Sequence, residues 1–217
     1  MTSVEDFIHA AGSATALLPE GAALDALSTA LVELGVAVSV TCLDAVAIER
    51  GIASAFDAGA SLAQVQEVIA LISGLGVHSL MASQARVLEQ SARRGLIDAR
   101  APLDAKRQAL WDTYVGNDPF WTQFERYVPG FLDAMLRLSP DIFKGFFDYC
   151  EIPWKSGTVR AATKELIAMA SDATPTHRFM PGFKVHLRNA IDLGNGRRAI
   201  LQALDIAAAA PGHVDVA

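Results

Sequence analysis

Residues 164–194 read KELIAMASDATPTHRFMPGFKVHLRNAIDLG, and their reading decides the fold. An apolar run carrying Glu165 is cut at Thr174-Pro175-Thr176, because proline disfavours helix in the residue before it. A second apolar-periodic run then carries His186 and stops at Gly194, a natural left-handed helix end. The same order occurs earlier. Without a gap, TCLDAVAIERGIASAFDAGAS (residues 41–61) aligns with THRFMPGFKVHLRNAIDLGNG (residues 176–196). This pairs Thr41 with Thr176, Ala55 with Ala190, Asp57 with Asp192 and Gly59 with Gly194. Ile48, Ile52 and Phe56 meet Phe183, Leu187 and Ile191, and the register runs on to His78 and His213. Upstream, a shift of three residues pairs Glu33 with Glu165. Self-similarity of this kind is the mark of a repeated helical unit.

Working outward, nearly every segment has the 3.6-residue period of a helix and none alternates as a strand, so the chain is expected to be all-α. The pattern predicts helices over about 3–18, 22–40, 44–58, a run opened by a Ser61–Gln64 capping box, a stretch from His78 to about Arg94, and then about 158–172, 181–193 and 197–209. Three regions follow: a first repeat over 1–94, a connector over 95–155 and a second repeat over 156–217. Of the sixteen aromatic residues twelve fall in the connector, too many for a flexible linker. Short helices packing as core, or lining a pocket, are expected there.

At 217 residues and 52% hydrophobic, the chain can bury a sizeable core. Its mean hydropathy is +0.28, much of it from alanine. Asp25, Glu33, Asp44 and Glu49 interrupt the richest region, and the opening MTSVEDFIHA lacks a basic, apolar leader, so neither a membrane span nor a secretion signal is expected. A net charge of −6 without a basic patch argues against nucleic acid. Two cysteines, Cys42 and Cys150, give no disulfide framework and suit a reducing cytoplasm. HExxH, Walker and dinucleotide motifs are missing, so neither a metal nor a cofactor is implied.

The order glutamate helix, turn, histidine helix, closing glycine and further apolar helix resembles the carboxymuconolactone decarboxylase family, which includes the alkylhydroperoxidase D-like proteins. Residues 164–194 carry the likeness best, with Glu165, His186 and Gly194 at the three marked positions, while residues 32–61 keep Glu33 and Gly59 but have Gly51 in place of the histidine. The resemblance implies an alkylhydroperoxidase D-like helical bundle of two tandem repeats. It also implies a homo-oligomer, a dimer or trimer of such double units, acting without cofactor on a small carboxylated or lactone-type compound. Glu165 and His186 would then move protons, His177 would join the site or cap a helix, and Arg178 or Arg188 would hold the substrate carboxylate. The peroxidase branch carries a Cys-x-x-Cys pair before the histidine; those positions are Phe179 and Gly182 here, so two-thiol chemistry is not expected. The alternatives are an alkylhydroperoxidase D-like peroxidase or thiol redox protein, using Cys42 or an external thiol, and a helical ligand-binding module without catalysis.

Overall fold

The computed structural model describes residues 3–214; the outermost residues of the two expected repeats, 1–2 and 215–217, lie outside it. Twelve α-helices and one 3₁₀ turn, with no strand among the described residues, make the protein all-α. They are α1 (Val4–Ala14), α2 (Ala26–Ala37), α3 (Ala45–Asp57), α4 (Leu62–Ser73), α5 (His78–Arg93), α6 (Ala105–Tyr114), α7 (Pro119–Phe124), α8 (Phe131–Leu138), α9 (Pro140–Ser156), α10 (Ala161–Ala173), α11 (Met180–Asp192) and α12 (Arg197–Ala208).

The chain divides into two compact units, and their borders differ from the three regions read from sequence. The first holds the described residues up to Leu75 together with those from Ile152 on, so α2–α4 and α10–α12 share one core; the second spans Gly76–Glu151. In the first unit α10 is central, and every residue from Thr163 to Ala173 is buried. It packs against α2, α4, α11 and α12. Close approach of α2 to α10 requires Gly35, where a Cβ would run into the Ile167 side chain. α1 closes the bundle by placing Phe7 edge-on to Phe183 at 4.9 Å.

Local signals set the helix ends. Ser61 and Gln64 form the reciprocal capping box, at 3.2 and 2.9 Å. Gly59 and Gly194 adopt φ values of +89° and +88°. Behind each glycine the chain closes with the same hydrogen bond, Ala60 N–H to the Ala55 carbonyl and Asn195 N–H to the Ala190 carbonyl. α2, α3 and α4 contain 12, 13 and 12 residues, and α10, α11 and α12 contain 13, 13 and 12. The run Leu62–Arg93 reaches a mean hydropathy of 1.5 and by length and composition could cross a membrane. Its first helix, however, buries Val65, Val68, Leu71 and Ile72 in the core of the first unit.

The aromatic residues of the second unit form its own core. Phe131 and Phe143 are fully buried. Phe146 stands edge-on to Phe131 at 5.4 Å, Phe147 to Trp121 at 5.1 Å, and Tyr114 stacks on Phe147 at 4.9 Å. Trp154 is the exception: it belongs to the first unit.

Candidate functional site

Glu165 and His186 meet where α10 packs on α11. The His186 Nδ1 lies 2.7 Å from the Glu165 Oε2, with the two side chains 21% and 7% exposed. The other carboxylate oxygen accepts from the Asn189 Nδ2 at 3.0 Å. His186 and Asn189 are three residues apart and so share a face of α11, one above the other. Burial pushes the His186 imidazole down, but the hydrogen bond and charge of Glu165, with the charge of Asp172, outweigh it and leave its pKa raised. The ring's second nitrogen makes no hydrogen bond within the described residues. The Trp154 indole lies parallel to the imidazole, within 8°, at a centroid separation of 6.3 Å.

His177 stands elsewhere. Its Nε2 is 3.6 Å from the Asp172 Oδ1, two turns along α10 from Glu165 on the same face. Burial lowers the His177 pKa. Burial likewise pushes the fully buried Asp172 carboxyl up to about 8, against a smaller lowering by His186. Arg188 is half exposed, its Nε donating to the Asp192 carboxylate at 2.8 Å one turn on. Arg178 is also exposed and takes a left-handed backbone, φ +52°, in the turn before α11.

The first half of the unit offers no second copy of this group. Glu33 is exposed, unlike the buried carboxylate expected from its alignment. With helix starts at Ala26 and Ala161, Ala30 and not Glu33 stands 135 residues before Glu165. Gly51 stands 135 residues before His186, where a Cβ would make ordinary contact with Leu34 and Ala37, and it brings no imidazole to this half.

Thiol chemistry finds little footing in the same place. At Gly182 a Cβ would collide with the Asp172 carboxylate and press on Phe179, so a cysteine has no room. Gly182→Ala is expected to lose about 1–3 kcal/mol of stability by overpacking, although alanine is the better helix former by about 1 kcal/mol. Urea melts check this, and an unchanged or higher midpoint contradicts it. Cys42 is fully buried with its Sγ 3.0 Å from the Thr176 hydroxyl. In the second unit, burial pushes the Cys150 thiol up to about 11, where it is not a thiolate at neutral pH.

No family model and no curated protein matches the sequence. Among solved structures, a Burkholderia xenovorans LB400 protein provisionally named a gamma-carboxymuconolactone decarboxylase subunit is similar to it. The two are 29% identical with a TM-score of 0.72, over 85% of this chain and 71% of that one.

Proposed function

We propose that the chain is a carboxymuconolactone decarboxylase-like protein, in keeping with its similarity to the Burkholderia structure, and that it acts as a cofactor-independent lyase that removes carbon dioxide from a small carboxylated lactone-type compound. The observation that carries this reading is the Glu165–His186 contact at 2.7 Å, sheltered between two helices with one imidazole nitrogen left for a substrate. When the carbon–carboxylate bond breaks, its electron pair stays on carbon and spreads into the neighbouring unsaturated lactone. The His186 imidazolium donates the proton that this carbon takes up, and water returns a proton to the ring. Glu165 accepts the Nδ1–H bond throughout, fixing the tautomer and stabilising the cation. Asn189 holds the carboxylate of Glu165 in that orientation. Both arginines expected to grip the substrate carboxylate stand exposed.

The matching helix lengths and the equivalent glycine-ended turns support an internal duplication in which one copy kept the acid–imidazole pair. Val46, Leu62 and Phe56, exposed on α3 and α4, support association into a dimer or trimer of such double units. The paucity of cysteines favours a cytoplasmic setting. The test is carbon dioxide release from gamma-carboxymuconolactone and a panel of related carboxylated lactones, with light scattering for the assembly. Folded protein that releases none from any of them overturns the lyase reading.

A further inference from the structure

A buried ion pair beside this site has no part in the proton transfer. Lys164, immediately before Glu165, places its Nζ 2.7 Å from the Glu67 Oε1 of α4. The two side chains are 2% and 4% exposed. The same ammonium donates to the Pro153 carbonyl at 2.7 Å, one of the last carbonyls of α9, which lack a partner within their own helix. The other Glu67 oxygen accepts the backbone N–H groups of Thr158 and Val159, each at 3.0 Å, and the Thr158 hydroxyl. The pair thus grips the chain on both sides of residues 154–157, a stretch that Gly157 turns with φ +71°. Trp154 lies inside that grip, its ring parallel to His186 and its centroid 5.7 Å from the Lys164 Nζ.

An apolar pair of similar volume would fill this space at no loss, since removing two charges from water is unfavourable. What it would not do is anchor the Pro153 carbonyl and two backbone amides. We infer that Lys164 and Glu67 are positioning residues for the His186 centre, holding segment 153–159 so that Trp154 covers one face of the imidazole and fixes its plane for proton transfer. The inference rests on the acid–imidazole reading above but not on the identity of the substrate.

Indole fluorescence tests it without any substrate. An imidazolium against an excited indole quenches it strongly, and a neutral imidazole does so weakly. The groups facing His186 are Glu165, Asp172, Asn189, Trp154 and, beyond the indole, Lys164. Emission should therefore rise as pH increases through the raised His186 pKa, and this step should vanish in Trp154→Phe and in His186→Ala. In the Lys164→Met/Glu67→Gln double variant, whose glutamine still accepts the two backbone amides, the step is expected to be lost while circular dichroism stays native. Gly157→Ala loosens the same segment from its surface, where a Cβ meets nothing within 4 Å, and should shrink the step without touching the core. If the double variant does not fold, Gly157→Ala decides alone. A full-sized step in the folded double variant, or in Gly157→Ala, overturns the inference. An intact wild-type step in protein that decarboxylates nothing overturns the lyase reading and leaves the positioning role standing.

Discussion

Glu165→Gln is expected to lower turnover by about 10²- to 10⁴-fold, the usual weight of a positioned proton-transfer group, with the fold retained. The substitution keeps the shape. A glutamine oxygen still accepts from the His186 Nδ1 at the position now 2.7 Å away, and the amide reaches the place of the other carboxylate oxygen. It deletes the charge, and it sets an N–H₂ opposite the Asn189 Nδ2, a donor facing a donor unless Asn189 flips. His186→Ala should lose as much, since it removes the donor itself. The pH profile separates charge from shape. In the wild type the His186 pKa is raised, so the imidazolium form needed as acid persists above 6.5 and activity falls as pH climbs through the raised value. The stability that this pair contributes follows the same sign. It is fully present below the unfolded value of 6.5 and is lost as pH rises through the folded one. In Glu165→Gln the basic limb should move to lower pH, read both from rates and from the His186 ring signals by NMR. A variant in which His186 titrates as before, with turnover intact, would remove Glu165 from the mechanism.

Much of this site is written locally in the sequence. The Thr174-Pro175 break, the terminal Gly194 and the apolar period place Glu165 and His186 on consecutive helices, which have little choice but to pack as a hairpin. Asn189 was visible as a same-face neighbour of His186, yet its role depends on Glu165 lying opposite, which periodicity does not state. The pairing of Glu33 with Glu165 failed for a related reason. Local identities favour a shift of three residues, whereas the helix starts keep a constant spacing, and burial obeys the helix. Trp154 is counted with the aromatic connector by composition, although the chain has already re-entered the first unit at Ile152. Asp172 looks like an ordinary helix-end acid until its full burial against Gly182 is seen.

The Lys164–Glu67 pair was the least legible of all, being 97 residues apart in sequence and formed by residue types that are rarely fully buried. It also carries the largest stability effect. Lys164→Ala or Glu67→Ala is expected to cost about 3–5 kcal/mol, because each leaves the other charge buried without its counterion. In Lys164→Ala, the Pro153 carbonyl also loses its donor. Replacing both at once by Met and Gln should be far milder, since no unpaired charge remains. Single losses that exceed the double one are thus the signature of the pair, read as non-additivity in a double-mutant cycle. Acid supplies an independent check. Burial alone would raise the Glu67 pKa, but its hydrogen bonds from Lys164, Ser156, Thr158 and Val159 hold it down at about 2. Its contribution is therefore complete above the ordinary value of 4.5 and disappears as pH falls toward 2. Wild-type stability should drop steeply across that interval, and the double variant should show a shallower slope there. Equal slopes would mean that this carboxylate is not held as the structure describes, and the anchoring of Trp154 would lose its footing with it.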